Sequence, residues 1–310
     1  MIQGFVTLAT GDERYYRLAR NLLRSYRHSC STPMRFAIIA DRHNAYTAEF
    51  DDVVIMEHAT RSWADKLEML KCCPYDENIF LDADCLVYQD INFFWDIFSG
   101  MGDFSCFGRA LPLGSEGGWF SDQALEVYPV HFLTHLHGML YFIRKGATVD
   151  QMYELCTDIV SNYHKIRFKY FNDCLADEPV FALAMAVMNL KPVPRVPEYY
   201  CFVPFAIDCK ADFLSKCVHF TYPEEGRSDR CCIIHWGNIN TRMASYRVEE
   251  HKINYLCSVK NGVRNRVYEM LFYRTRLLYT KYRIEDGLKA VFKKSIWYLG
   301  RVKHKLFAGK

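Results

Sequence analysis

The sequence places two aspartates, separated by one small residue, directly after an apolar run. Asp82 and Asp84 flank Ala83 and follow residues 78–81, a run typical of a buried strand. In open α/β sheets ligands bind at the carboxyl ends of strands. Where the backbone turns at such an end, both carboxylates can reach one hard cation, with room beside Ala83 for a phosphate. Mn²⁺ and Mg²⁺ prefer oxygen ligands, although the same pair is also compatible with capping the next turn.

The elements that must position these carboxylates alternate between strands and helices. Apolar runs predict strands at 4–9, 34–40, 53–56, 78–81, 104–107, 138–143 and 232–235. Helical spacing predicts helices at 15–26, 63–70, 150–163 and 177–189. This alternation indicates an α/β fold with a mostly parallel sheet flanked by helices. Residues 109–136 show no clear period and are expected to form a long loop.

The charge of the chain is divided unevenly along its 310 residues. Residues 260–310 carry 14 Lys and Arg against three acids, a net of +11, whereas residues 1–259 carry a net of −8. Half of the residues are hydrophobic, which excludes disordered, collagen-like and coiled-coil classes. We therefore divide the chain into a globular domain, 1–258, and a basic amphipathic helical tail, 259–310.

The cysteines and the apolar runs indicate in which cellular compartment the protein is located. The 13 cysteines are odd in number and include two adjacent pairs, which favours free thiols in a reducing compartment. No signal peptide is visible, and the longest apolar run, 181–188, is far shorter than the about 20 residues of a membrane span. We expect a cytoplasmic protein, peripheral on the inner face of the membrane through its tail.

Short blocks along residues 1–245 together resemble glycosyltransferases of the GT-A fold, in particular glycosyltransferase family 8, which includes glycogenin and bacterial galactosyl- and glucosyltransferases. Residues 5–10 resemble the first strand of the family, whose end cups the nucleoside. Lys66 stands 16 residues before Asp82, as in the family pattern. Residues 81–87 resemble the family's metal motif, and residues 233–237 its late histidine. The order of the blocks is more specific than any one of them.

The resemblance implies a metal-dependent transfer of a hexose from a nucleoside diphosphate sugar, with UDP as the nucleotide, to a hydroxyl acceptor on a glycan or glycolipid. It implies retention of the anomeric configuration and a role in cell-surface glycan synthesis. The implied ligands of Mn²⁺ (or Mg²⁺) are Asp82, Asp84 and His235. The implied donor contacts are Thr7, Leu8, Thr10, Tyr15, Lys66, Asp82, Ala83, Gly138 and Gly237.

Asp177 and Glu178 match a family block that faces the sugar at a helix start, and they are the implied catalytic residues. Each of these assignments has a structural alternative. The pair at 177–178 suits a helix N-terminus, His235 could be a core histidine, Lys66 a solvated helix residue, and Tyr15 a helix-packing residue.

The sequence departs from the family pattern at two places. A glycine follows His235 at the second position, whereas the family has it at the third. The residue that contacts the terminal phosphate of the donor is therefore not identified by the resemblance. His137 precedes Gly138 at a position where the family has an asparagine. This difference predicts that the hydroxyl groups of the sugar are recognised differently.

The sequence bears on two other functions, nucleotidyl transfer and non-catalytic binding of sugar nucleotides. A nucleotidyltransferase needs a glycine-rich basic loop after the first strand, but residues 10–13 are acidic and contain one glycine. A non-catalytic sugar-nucleotide-binding protein could lose the metal ligands, and all three candidates are present. The basic, aromatic tail predicts binding to an anionic membrane surface or packing on the acidic domain. Nucleic acid is not expected as a partner because the domain is acidic.

Overall fold

The computed structural model describes residues 1–115, 120–166, 168, 175–196, 198–206, 208–223, 226–258, 274 and 277–285. The strands are β1 Gln3–Ala9, β2 Phe36–Ala40, β3 Asp52–Ile55, β4 Glu77–Leu81, β5 Cys85–Val87, β6 Phe104–Leu111, β7 Leu133–Arg144, β8 Val193–Pro194, β9 Tyr200–Phe202, β10 Asp208–Asp212, β11 Cys217–Tyr222, β12 Gly226–Ser228 and β13 Ile233–His235. The α-helices are α1 Glu13–Ser29, α2 Met69–Cys72, α3 Phe94–Phe98, α4 Asp122–Val127, α5 Ala147–Ser161, α6 Tyr163–Ile166, α7 Asp177–Val187 and α8 Ala244–Ser258.

A seven-stranded sheet in the order β3-β2-β1-β4-β7-β6-β8 forms the centre of the molecule. β3, β2, β1 and β4 run parallel, and β7 runs antiparallel to its neighbours β4 and β6. The predicted mostly parallel α/β fold is confirmed. Because β1, β2 and β4 are parallel, their carboxyl ends meet at one edge, where the Asp82 to Asp84 segment begins.

A second, three-stranded sheet brings a distant part of the chain to this edge. β13 lies between β5 and β9, antiparallel to β5 and parallel to β9. In this register His235 is paired with Cys85, the residue that follows Asp84. The pairing therefore fixes a histidine beside an aspartate that is 151 positions away in the sequence.

Two apolar layers cover the central sheet, as its continuous hydrophobic strands require. On one side, α1 packs through buried residues that include Tyr16, Leu22 and Tyr26. On the other side, α7 is buried along nearly its whole length. Asp12 caps α1 by accepting a hydrogen bond from the backbone N–H of Arg14 at 2.8 Å.

The structure differs from the sequence prediction in several segments, and α8, α3, β5 and β9 are among the elements that were not predicted. The helix predicted over 63–70 is a 3-10 turn, Trp63–Lys66, followed by the short α2. The predicted loop over 109–136 contains α4, and β7 begins at Leu133 rather than near 138. The antiparallel β10–β11–β12 sheet was not predicted. β10 and β12 contain no buried residue, and in β11 the buried Val218, Phe220 and Tyr222 alternate with more exposed residues, so none of the three strands has a continuous apolar run.

The predicted tail lies largely outside the described residues. Residues 277–285 are helical, and this part contacts α8. The guanidinium of Arg247 is 2.8 Å from a carboxylate oxygen of Glu285 and 3.8 Å from the ring centroid of Tyr282. Among the described helices, none has the length and apolar character to cross a membrane, and the described cysteines form no disulfides.

Candidate functional site

Backbone hydrogen bonds hold the two aspartates on a tight turn between β4 and β5. The N–H of Asp82 donates to the carbonyl of Met139 on β7 at 2.9 Å, and the N–H of Cys85 donates to the carbonyl of Asp82 at 3.0 Å. The carbonyl of Asp84 accepts from the N–H of Trp236 at 3.2 Å. Three backbone hydrogen bonds therefore fix the turn that carries the two carboxylates.

His235 completes a cluster with both aspartates. Its Nε2 is 3.0 Å from Oδ1 of Asp84 and 3.7 Å from Oδ2 of Asp82. Burial lowers the pKa of His235, but the two carboxylates, Asp84 first, outweigh it, so the pKa lies above its usual value. Burial tends to raise the pKa of Asp84, but His235 holds it below its usual value, whereas burial raises that of Asp82.

The donor set fits a hard divalent cation. In an octahedral Mg²⁺ or Mn²⁺ site with bonds of about 2.1 Å, adjacent ligand atoms lie about 3 Å apart, as Asp84 Oδ1 and His235 Nε2 do. Cys85 Sγ also lies within 4.8 Å of these two ligand atoms. Soft thiolates select other metals, whereas Mn²⁺ and Mg²⁺ prefer oxygen donors, so we do not count Cys85 among the candidate ligands. The oxygen and imidazole donors are those that suit Mn²⁺.

Lys66 lies on the other side of Asp82 and is surrounded by acceptors. Its Nζ is 2.7 Å from Asp82 Oδ1, 2.7 Å from Asp177 Oδ2 and 2.6 Å from the carbonyl oxygen of Gly138. Burial lowers the pKa of this ammonium, but the carboxylates of Asp177 and Asp82 raise it above its usual value. Three acceptors match the three protons of the group, so a phosphate would have to replace one of them.

Asp65 positions the segment that carries Lys66, and the sequence analysis did not identify it. Its side chain is 1% exposed and accepts four hydrogen bonds. These come from Thr10 Oγ1 at 2.6 Å, Thr60 N–H at 2.6 Å, Thr60 Oγ1 at 2.7 Å and Arg61 N–H at 2.9 Å. The aspartate thus ties the 60–67 segment to the carboxyl end of β1. A Ser/Thr-rich turn followed by Asp was the only sequence signal of this role.

Glu178 lies at the start of α7 beside Asp177. Its Oε1 accepts a hydrogen bond from the N–H of Gly138 at 2.7 Å. Burial, and then the charge of Asp177, raise the pKa of Glu178 to about 7. Asp177 and Glu178 therefore meet the backbone of Gly138 and the ammonium of Lys66, and the predicted catalytic pair lies at the rim of the aspartate cluster.

The predicted donor contacts on β1 and α1 differ in exposure. Thr7 is fully buried within β1, and Leu8 is half-buried. Thr10, at the carboxyl end of β1, is engaged by Asp65. Tyr15 is 37% exposed, and its hydroxyl accepts from the side-chain amide of Asn238 at 3.3 Å.

The segment after His235 closes over the N-terminus of α1. Gly237 has a φ of +70°, a conformation that a side chain disfavours. Arg14 Nη1 donates to Asn238 Oδ1 at 2.6 Å, and Arg14 Nη2 contacts the Asn238 carbonyl and the Thr241 hydroxyl. The glycine turn therefore brings the 238–241 segment against the end of the sheet at which the aspartates lie.

Two aromatic rings, those of Phe202 and His137, pack against the imidazole of His235. The ring of Phe202 stacks on His235 with centroids 4.9 Å apart, and the ring of His137 lies 5.5 Å from it. Burial lowers the pKa of His137 well below its usual value, so its ring is neutral. Phe202 and the cavity behind it were not identified from the sequence, because their neighbours come from strands far apart in the chain.

No protein-family model and no curated protein sequence matches the chain. Solved structures do. An active-site mutant of LgtC aligns over 85% of this chain and 99% of its own, with 12% identity and a TM-score of 0.50. The galactosyltransferase LgtC in complex with donor and acceptor sugar analogs aligns over the same shares with 12% identity and a TM-score of 0.49.

The apo structure of the bifunctional glycosyltransferase WbbM aligns over 86% of this chain with 10% identity and a TM-score of 0.50. The chain spans about half of that protein, 51% of its length. Likeness at such identity concerns the fold. The expected fold is confirmed: the chain has the GT-A fold of these glycosyltransferases.

Proposed function

We propose that this chain is a glycosyltransferase that moves a hexose from a nucleoside diphosphate sugar, with UDP as the nucleotide, to a hydroxyl group of a glycan or glycolipid. The observation that carries the proposal is the convergence of Asp82, Asp84 and His235 at the carboxyl end of β4. The GT-A fold supports it, because both similar enzymes named above are glycosyltransferases.

In this proposal Asp82, Asp84 and His235 hold Mn²⁺ (or Mg²⁺). When bound, the cation supplies Lewis-acid stabilisation of the negative charge that develops on the leaving diphosphate. The ammonium of Lys66 lies 2.7 Å from the carboxylate of Asp82. It remains our candidate for a phosphate contact, which requires that the phosphate replace the carboxylate of Asp82 or Asp177. Such fixed charges are usually a large part of catalysis in a site shielded from water.

The transfer breaks the bond between the anomeric carbon and the diphosphate oxygen, and the electron pair stays on that oxygen. The acceptor hydroxyl oxygen forms the new bond to the anomeric carbon, and its proton passes to a base, for which Glu178 is our candidate. Glu178 has a pKa of about 7, which suits a group that exchanges protons near neutral pH. Asp177 and Glu178 are our candidates for the residues that face the sugar, with retention of configuration.

The setting of the reaction is part of the same proposal. We place the enzyme in the cytoplasm, with residues 260–310 resting on the inner face of the membrane and the product entering cell-surface glycan. The net charge of +11 in this segment is the support for a membrane contact.

Calorimetric titration with UDP, with and without Mn²⁺, tests the proposal. We expect Mn²⁺ to tighten UDP binding, and Asp84→Asn to weaken the metal-dependent binding by about 100-fold, because a direct ligand contributes at least as much as the groups that orient it. Asp96→Asn is the matched control, since Asp96 is exposed on α3. Equal UDP affinity with and without metal, or an unchanged Asp84→Asn variant, would refute the metal assignment.

A further inference from the structure

Two cysteines that the proposed reaction does not use meet where two sheets pack together. Cys201 lies on β9, in the β5–β13–β9 sheet, and Cys209 lies on β10, in the β10–β11–β12 sheet. Both belong to the same hydrophobic cluster, and their thiols share a hydrogen bond. Among the described residues, no third ligand completes a metal site with these two sulfurs. The pair is therefore a candidate for thiol chemistry rather than for metal binding.

The strand register and a tyrosine hold the two cysteines together. Cys209 is paired with Phe220 on β11, so their side chains share one face of the sheet. Tyr222 lies two residues further along on that face, with its ring 5.2 Å from the ring of Phe220. The hydroxyl of Tyr222 donates to the carbonyl of Phe202 at 3.2 Å and accepts from its N–H. Because Phe202 follows Cys201, these contacts hold β9 against the face that carries Cys209.

The two thiols differ in exposure and in acidity. Cys209 is partly exposed, whereas Cys201 is completely buried, so a small reagent reaches Cys209 first. The hydrogen bond from Cys201 lowers the pKa of Cys209 below its usual value, although burial opposes this. The same bond, and then burial, raise the pKa of Cys201. Since the thiolate is the nucleophile in thiol–disulfide exchange, Cys209 is suited to attack and Cys201 to react second.

A third cysteine nearby is directed elsewhere. Cys231 is buried in the same cluster, and its thiol donates to the carbonyl of Ile233 at 2.8 Å. Cys201 is therefore the natural partner of Cys209.

We propose that Cys201 and Cys209 form a reversible disulfide by exchange with a low-molecular-weight disulfide such as oxidised glutathione. The sulfur of Cys209 attacks one sulfur of the reagent, and one glutathione leaves with the electron pair of the broken S–S bond. The sulfur of Cys201 then attacks the Cys209 sulfur of the mixed disulfide and releases the second glutathione. The protein thiols are oxidised, the glutathione disulfide is reduced, and the protons of both cysteines end on the two glutathione thiols.

The position of this bond links it to the aspartate cluster. It joins the antiparallel β10–β11–β12 sheet to β9, one residue before Phe202, whose ring stacks on His235. In a reducing compartment such disulfides are usually transient and respond to the redox state. The inference concerns the thiols alone and does not depend on the glycosyltransferase function proposed above.

The test is peptide mapping of the full chain after incubation with mixtures of reduced and oxidised glutathione. The samples are denatured, alkylated with iodoacetamide and digested with trypsin, which leaves both cysteines in one peptide, residues 196–210. We expect this peptide to carry no alkyl group in the oxidising mixture, and one on each cysteine after treatment with dithiothreitol. Alkylation of both cysteines at every ratio, or a glutathione that stays on Cys209, would overturn the proposal.

Two variants identify the cysteines involved. In Cys209→Ser, Cys201 should be alkylated and free of glutathione at every ratio, because it is buried. Cys217→Ser is the matched control, since Cys217 is exposed on β11 and lies outside the pair. It should form the disulfide as the wild type does, and a disulfide lost in this variant would contradict the assignment. Circular dichroism establishes that both variants are folded.

The same titration in concentrated urea separates the effect of the fold from that of sequence proximity. Positions 201 and 209 are close in the sequence, so the unfolded chain can also close the ring. We expect the equilibrium constant for the disulfide to be at least about tenfold larger in the native protein, because the fold holds the thiols in contact. Equal constants in both solvents would show that the fold does not favour the bond, and the proposal would fail.

Discussion

At the scale of single residues, Gly138 is where the two sides of the site meet. Its N–H donates to Glu178 and its carbonyl accepts from Lys66. A Cβ here would lie 2.6 Å from Cγ of Glu178 and 3.0 Å from the hydroxyl of Tyr141. The absence of a side chain, rather than unusual backbone geometry, is what the position requires.

Gly138→Ala is therefore expected to displace Glu178 and to destabilise the protein by about 1–3 kcal/mol, the usual cost of forcing atoms into a packed site. Urea unfolding measures the loss. Gly100→Ala is the control, since nothing lies within 4 Å of a Cβ at that position, and we expect a change within about 0.5 kcal/mol. A Gly138→Ala variant as stable as this control would contradict the contact.

Glu178 predicts a pH dependence of stability. Its pKa is about 7 in the folded protein against an ordinary value of 4.5, so the folded state holds the proton more tightly than the unfolded state. The stabilisation is complete below about pH 4.5 and is lost as the pH rises through about 7. Its size is roughly 1–3 kcal/mol.

Unfolding free energies at pH 5 and pH 8, in buffer without divalent cations, test this. Glu178→Gln keeps an acceptor for the N–H of Gly138 and should lose part of the decline with pH. Glu154→Gln, at an exposed position of α5, should keep the wild-type decline. Parallel pH profiles for the two variants would rule out Glu178 as the cause.

At the scale of elements, the site depends on two connections that the order of elements does not reveal. The β13–β5 pairing places His235 beside the aspartate turn. The 60–67 segment places Lys66 against Asp82 of that turn. The hydrogen bond from Thr10 to Asp65 anchors this segment to the end of β1. Each connection relies on hydrogen bonds made by buried groups, which are costly to leave unpaired.

Asp65→Ala should destabilise the protein by about 1–3 kcal/mol, because it removes the acceptor of the buried Thr10 hydroxyl and of the partly buried N–H groups of Thr60 and Arg61. It should also weaken metal-dependent UDP binding, since Lys66 follows directly in the chain. Asp96→Ala, on the exposed face of α3, is expected to change stability by no more than about 0.5 kcal/mol. Comparable unfolding curves for the two variants would show that Asp65 anchors nothing.

At the scale of the whole molecule, the charge is divided between an acidic domain and a basic C-terminal segment. The contact of Arg247 with Glu285 and Tyr282 shows that the described part of this segment packs on α8. The contact with α8 uses Glu285, which is one of only three acids among residues 260–310. Packing on the domain through this acid is therefore compatible with contact between the basic residues of the segment and a membrane.

We predict that the full chain sediments with vesicles that contain phosphatidylserine, and that a chain ending at Ser258 does not. Each Lys or Arg near an anionic surface contributes about 1 kcal/mol, and the truncation removes 14 of them. Vesicles of phosphatidylcholine alone and buffers of high salt should release the full chain. Circular dichroism of the truncated chain establishes that it is folded, and undiminished sedimentation would disprove the membrane role.

Much of this architecture follows from local patterns. The apolar runs of β1, β2 and β4 and the periodicity of α1 were predicted close to their observed bounds, because each buries a face that its own residues define. The short strands β10 and β12 were missed because they contain no buried residue. β11 was missed because its buried face is an alternating pattern of three residues rather than a continuous apolar run. Lys66 contacts two carboxylates, those of Asp82 and Asp177, which no spacing specifies, and its contact with a phosphate stays a prediction.

The sequence by itself determined the fold class, the aspartate turn at the end of β4 and the uneven charge, since these depend on neighbouring residues and composition. Only the tertiary structure decided that His235 lies 3.0 Å from Asp84, that Asp65 anchors the lysine segment, and that the rings of Phe202 and His137 lie against His235. The reason is that strand pairing across long stretches of chain sets these distances, and that pairing is fixed by packing of the whole domain rather than by any local pattern.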